Sequence, residues 1–324
     1  EVIITEENDL LRDLKSIDDV VKKIVGNNVQ IFDVLRRKNG VPQIHARLSG
    51  KKLMRVLING DGAFSFHFPM YGLSPYVSLL FRCAGRLGCP LLLACLDKIE
   101  PFEVESVVDM LNDLVFDMRR EASSKSFRKV VRKLVKAARR REKSLDAYID
   151  ALFARYSRMV VIRLDLSYEV GYFRGGRDLI SGLIEAKADW VKLQRDLHMD
   201  RPVKSMLGFA CKLEYAHLTG FHFHLLLFYH GSEHCYDINM AKSIGEYWHQ
   251  VVTEGRGRYD NCNARKYPER GVGPISHGDT VKLLILKGVV AEYLTKVDYL
   301  KQLSPECGRT FFRGNMPKKR GHNR

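Results

Sequence analysis

Two alternating runs in the second half of the chain, "MLGFACKLEYA" (206–216) and "FHFHLLLFYH" (221–230), are separated only by "HLTG". Runs of this length, joined by so short a turn, predict an antiparallel hairpin. Alternate residues of a strand share a face, so His222 and His224 point the same way, roughly 6.6 Å apart along the chain. Phe221, Phe223, Leu225, Leu227 and Tyr229 take the other face and predict a core, which leaves the histidine face towards a cleft or solvent. With the turn centred on Leu218, Glu214 stands opposite His222, at the roughly 4.5–5.5 Å Cβ separation of cross-strand partners. Two imidazoles and a carboxylate then converge as a three-ligand metal set with positions left for water or substrate. Mixed nitrogen and oxygen donors suit Mn²⁺ and tolerate Mg²⁺.

The flanking pattern places this hairpin in a larger sheet. "RMVVIRLDLSY" (158–168) reads as a strand and "DLISGLIEAKADWVKLQRDLH" (178–198) as a helix. "DINMAKSIGEYWHQVVTEG" (237–255) reads as a helix ending at Gly255. A loop of about 25 residues follows, long enough to suggest a functional role, and "TVKLLILKGVVAEYLTKVDYLKQ" (280–302) is helical in period. Strand–helix–strand–strand–helix predicts an α+β architecture: an antiparallel sheet with helices on one face. Within the last helix Tyr293 and Lys296 are three apart and so neighbours on one side. A phenol with a reference pKa near 10 reaches phenolate at pH 7 at a cost of about 4 kcal/mol. A lysine one turn away and a nearby metal both reduce that cost.

Charge organises the first half. The net charge of +15 predicts a polyanionic partner, nucleic acid above all. Residues 119–143 hold twelve Lys or Arg against two Glu, and Val130, Val131, Leu134, Val135 and Ala138 recur at helical spacing. This predicts an amphipathic helix whose outer face, with Arg128, Arg132, Lys133, Lys136, Arg139 and Arg140, contacts DNA phosphates. Arg256 and Arg258 in the later loop are second candidates. Residues 1–118 read as a separate mixed α/β module, with helices over 10–25 and 102–120 and strands over 51–60 and 63–69. The predicted divisions are 1–118, a basic connector at 119–144, a catalytic domain at 145–305 and a basic mobile tail at 306–324. Seven cysteines with no C-x-x-C pair predict small core residues in a reducing compartment rather than a disulfide framework. No apolar run is long enough to cross a bilayer and no leader pattern opens the chain, so a cytoplasmic location in a bacterial host is expected.

The sequence "FHFHLLLF", followed about seventy residues later by "EYLTK", with Glu214 one strand earlier, resembles the HUH endonucleases. These are rolling-circle replication initiators and their relaxase and transposase relatives. "VVIRLDLSY", "IGEYWHQVVTEGRGRYDNCNA" and "VAEYLTKVDYL" are most similar to the inovirus-type replication proteins of phages and prophages, the YagK/YfjJ C-terminal domain family. The resemblance covers residues 145–305. It implies a ferredoxin-like or RRM-like domain that nicks single-stranded origin DNA, with Tyr293 as nucleophile, Lys296 assisting, and Glu214, His222 and His224 holding Mn²⁺ or Mg²⁺. The products would be a 5′-phosphotyrosine and a free 3′-OH, with host helicase and polymerase as partners. Position 297 is Val and Tyr299 lies on another helix face, which predicts a single-tyrosine enzyme. No G-x-x-x-x-G-K-[ST] run occurs, so no P-loop helicase is expected. The competing reading is a non-cutting DNA-binding regulator of the same fold. His217-Leu218-Thr219 suggests a two-histidine phosphoesterase but lacks the second H-x-T element that chemistry needs. His230, His234 and Cys235, close enough for zinc, fall at a strand end and loop. Asp165 is expected either to orient a ligand histidine or to pair with Arg163.

Overall fold

The computed structural model describes residues 6–59, 70–88, 99–173, 178–216, 220–291, 294–295, 301–303 and 307–317. The chain divides into two compact units, residues 1–136 with 299–302, and residues 137–298 with 303–324.

In the first unit, Leu14, Ile17, Val21 and Ile24 repeat at helical spacing and are buried along one side of α1 (Glu6–Val25). β1 (Phe32–Arg36) and β2 (Pro42–Ala46) form an antiparallel hairpin, with Val34 opposite Ile44. α2 (Leu48–Asn59) then corrects the strand expected over 51–60. Its buried residues Gly50, Leu53 and Leu57 follow the helical period, which the alternation of "KKLMRVLI" concealed. The strand expected over 63–69 lies outside the described residues. β3 (Tyr71–Leu73) leads to α3 (Pro75–Arg86), a helix not read from the sequence, whose start is set by its cap. Ser74 Oγ accepts from Val77 N at 3.2 Å, and Pro75 supplies a first helical position that needs no N–H. The same hydroxyl donates to the buried Asp18 carboxylate of α1 at 2.5 Å, tying the two helices together. α4 (Val104–Ala122) closes a core drawn mainly from four helices.

α5 (Lys125–Arg155) is one helix of 31 residues and runs through the boundary expected at 145. Its expected apolar face is only half covered. No residue between Arg128 and Ser144 is buried, and Val130 is 51% exposed.

The second unit is built on a six-stranded antiparallel sheet. β4 (Arg158–Tyr168) precedes α6 (Leu179–His198), whose first turn is capped by the Asp178 carboxylate. β5 (Met206–Ala216) and β6 (Gly220–His230) follow, then α7 (Asp237–Tyr247), which continues as a π-helical turn to Val252. Residues 255–279, expected as loop, contain β7 (Gly257–Asn261) and β8 (Gly273–Ser276), and both pair with β4. α8 (Thr280–Ile285) passes into a π-helical stretch over Leu286–Ala291. β9 (Lys301–Leu303), whose first two residues belong to the first unit, shows that the helix expected over 280–302 ends earlier. β10 (Phe311–Arg313) pairs with β5, so this part of the expected mobile tail is an edge strand. Strand order is β10-β5-β6-β4-β7, with β8 also beside β4.

Helices cover both faces of this sheet, not one. On the first face, Phe223 meets Trp190 of α6 and Trp248 after α7, at ring separations of 5.8 and 5.9 Å. On the second, Leu226 and Phe228 pack with Leu145, Ile149 and Leu152 of α5 and with Leu286, Val290 and Leu294. The histidines share that second face. The expectation that it opens wholly to a cleft fails because its other half is a second apolar core. Gly208, beside a bulge in β5, permits this closeness: a Cβ there would lie 2.2 Å from the Tyr148 hydroxyl of α5.

Candidate metal centre

Strand register assembles the site. Glu214 of β5 stands opposite His222 of β6, and Asp165 of β4 stands opposite His224. Because side chains alternate, all four project from one face, and a one-residue slip in either pairing would scatter them. Gly220, at φ +70°, starts β6 in a conformation open to glycine and sets the strand's phase just before His222.

His222 Nε2 lies 3.8 Å and His224 Nε2 3.7 Å from Glu214 Oε2. The two imidazoles are 5.0 Å apart and nearly perpendicular. One ligand atom from each of the three residues lies within 4.8 Å of the other two. An ion about 2.2 Å from each donor separates donors by about 3.1–3.6 Å for octahedral or tetrahedral angles. The Glu214–histidine separations are close to that spacing and wider than a direct hydrogen bond. The donor set fits a divalent metal.

Asp165 completes the arrangement. Its Oδ1 is 2.8 Å from His224 Nδ1, so Nε2 is the nitrogen turned towards Glu214. Of the two roles expected of Asp165, orienting a ligand histidine is the closer contact, since Arg163 Nε is 3.8 Å away. Burial alone would raise the Glu214 carboxyl, but the two facing imidazoles outweigh it and hold it well below the usual range. Asp165 is likewise lowered against its burial, by His224 and then Arg163. His224 would be lowered by burial, yet Asp165 and Glu214 carry it up to about 9. Without metal it is an imidazolium between two carboxylates at neutral pH, and a divalent ion would replace that proton.

Lys212, not singled out from the sequence, lies two residues before Glu214 and opposite His224, and is buried. Its signal was the shared parity with Glu214, which puts a cation on the metal face.

Tyr293 and Lys296 lie outside the described residues, as does Tyr299. Their neighbours do not: Ala291, Leu294 and Thr295 are buried. Ala291 and Leu294 join the apolar cluster of Leu226 and Phe228, two and four residues beyond His224 on the same face of β6. Ala291 and Leu294 are therefore packed on the histidine side of the sheet.

The basic candidates separate clearly. Arg128, Arg132, Lys133, Lys136, Arg139 and Arg140 are all exposed on α5. Arg256 turns inward instead, pairing with Glu185 and with Asp189 at 3.3 Å. These carboxylates engage the guanidinium that the sequence offered to phosphate. Arg258 is half exposed, 3.7 Å from Glu169. His230 bonds to Ser232 Oγ at 2.6 Å and His234 to the Lys204 carbonyl at 3.0 Å, and they form no ligand group with Cys235 among the described residues. His217 to Thr219 lie outside those residues. Asp165, Asp260 and Cys262 also approach one another. Asp260 pairs with Arg265, however, and burial followed by Asp165 pushes the Cys262 thiol up to about 12, so it is no ready ligand. Cys83, Cys211, Cys262 and Cys307 are buried, as expected of small core residues, whereas Cys235 is exposed.

Among the described residues no helix is long and apolar enough to cross a membrane. No family model matches the sequence, and no curated protein or solved structure matches it either.

Proposed function

We propose that the second unit is a metal-dependent, single-tyrosine DNA nickase and strand transferase of the HUH type, with a ferredoxin-like sheet. In this reading the chain initiates rolling-circle replication of a phage or prophage. The observation that carries it is the convergence of Glu214, His222 and His224 on one sheet face. Support comes from Asp165 fixing the His224 ring and from the packing of Ala291 and Leu294 on the same side.

Glu214, His222 and His224 would hold Mn²⁺ or Mg²⁺, which supplies a Lewis acid for a non-bridging phosphate oxygen and offsets charge in the transition state. The Tyr293 phenol, assisted by Lys296, loses its proton and attacks phosphorus. A phosphotyrosine ester forms at the 5′ side as the P–O3′ bond breaks, and the departing O3′ takes a proton to become a 3′-OH. Asp165 keeps the His224 tautomer constant throughout. The exposed bases of α5 hold the backbone without reading sequence.

The test is incubation with single-stranded origin DNA and Mn²⁺. A covalent adduct is expected with the unaltered chain and none with Tyr293→Phe, while DNA affinity stays within about twofold, because Phe keeps the ring but not the nucleophile. An adduct formed equally by the Phe variant would overturn the assignment. Binding without any adduct from the unaltered chain would favour a non-cutting regulator.

A further inference from the structure

The first unit carries a charged cleft that the metal centre does not explain. It lies between α1 and the start of α2 and encloses about 400 Å³, within the roughly 300–1,000 Å³ of small-ligand sites. Arg12, Lys15 and Lys23 enter it from one stripe of α1, opposite the buried stripe of Leu14, Ile17, Val21 and Ile24. Lys52 enters from α2, and Asp19 is the single carboxylate among the lining residues. All four cationic side chains are exposed, and among the described residues Lys15, Lys23 and Lys52 have no ion-pair partner.

We propose that this cleft binds phosphate groups of a nucleic-acid backbone. Like charges gathered on neighbouring helical turns repel one another, by a few tenths of a kcal/mol per pair on a helix surface. An oxyanion between them turns that repulsion into attraction. The lining offers two hydroxyl donors, Ser16 and Ser49, that suit phosphate oxygens, and no aromatic ring on which a base could stack. The cleft therefore grips backbone and reads no sequence. A net charge of +15 makes an extended polyanion the better match than a single small anion. The proposal stands apart from tyrosine chemistry, since it needs neither metal nor cleavage.

The experiment uses the full chain in EDTA, where no nick is made, and follows a labelled single-stranded oligonucleotide of arbitrary sequence by anisotropy across a salt series. Lys15→Gln/Lys23→Gln/Lys52→Gln should reduce the slope of log K against log salt by about 2, from roughly 0.7 per phosphate contact. It should weaken binding about 10–100-fold at 0.1 M salt. Asp19→Asn should do the reverse, tightening binding about 2–3-fold, and gives a reading even if the triple variant folds poorly. Unchanged affinity and slope in both variants would overturn the proposal. So would loss of inorganic phosphate or ATP binding with DNA binding intact, which would make the cleft a free-phosphate site. Loss of nicking by Tyr293→Phe leaves all these outcomes unmoved, so the two readings fail separately.

Discussion

Two ionic clusters lie on opposite faces of the same strand, β4, and they are built to different rules. On one face Arg256 meets Glu185 and Asp189, Tyr168 donates to Asp189 at 2.9 Å and Tyr172 to Glu185 at 2.6 Å. One guanidinium and two phenols answer two carboxylates through direct contacts. On the other face Glu214 stands 3.7 and 3.8 Å from two imidazoles, with only the Asp165–His224 contact short. Full satisfaction is what a fixed structural lock requires. A set of donors converging at a wider spacing leaves room for an ion. Chemistry of similar residue types thus divides into scaffold and site by geometry alone.

That division can be broken most sharply at the metal face. His222→Ala or Glu214→Ala should lower Mn²⁺-dependent cleavage by about 10³-fold or more, as expected for removing a ligand of the ion that offsets transition-state charge. Far-ultraviolet circular dichroism should stay unchanged. Cleavage retained within tenfold would remove these residues from the site.

The lock should respond in the opposite way. Arg256→Ala leaves two carboxylates facing each other, and a broken buried pair costs about 3–5 kcal/mol, less here because Arg256 is partly exposed. Urea denaturation should show a loss of about 2–3 kcal/mol, while cleavage per folded molecule persists. A stable variant with lost cleavage would invert the comparison.

Asp165→Asn sharpens the contrast, because it keeps the shape but loses the charge that orients and polarises His224. Loss of such a partner typically weakens metal affinity about 10–100-fold, measurable by Mn²⁺ titration calorimetry. The pH dependence follows from the same contact. His224 is raised to about 9 in the folded, metal-free chain, against about 6.5 unfolded. Its pairing therefore stabilises the metal-free fold fully below about pH 6.5, and that contribution fades as pH rises through 9. Metal must displace the same proton, so Mn²⁺ affinity should climb about tenfold per pH unit between 7 and 9. A flat profile would show that His224 binds no metal.

The smallest effect is expected on α5. Arg132→Ala/Lys136→Ala/Arg140→Ala, one exposed stripe, should reduce the salt slope of single-stranded DNA binding by roughly 0.7 per lost contact. The cleavage position and metal affinity should not change. An unchanged slope would reduce this stripe to a solvated face.

Much of the site was legible because its parts are local. Period-two alternation and a short turn are enough to place Glu214 opposite His222, with no knowledge of the rest of the chain. The helical period over residues 10–25, realised in α1, was an equally local matter. Where two periods compete, as in "KKLMRVLI", the outcome rested on what the segment packs against, and Gly50, Leu53 and Leu57 show it to be helical.

Other features were decided only by tertiary structure, because they depend on partners far along the chain. Asp165 meets His224 across 59 residues, a pairing that β4 register sets and no spacing rule contains. Arg256 looked like a loop base free for phosphate, yet Glu185 and Asp189 draw it inward from 71 and 67 residues away. The second face of the sheet, expected open, is closed at one end by α5 and the segment before Tyr293. Local sequence settles which atoms a strand offers on each side. Long-range packing settles which of those atoms are buried, which are neutralised, and which remain available for chemistry.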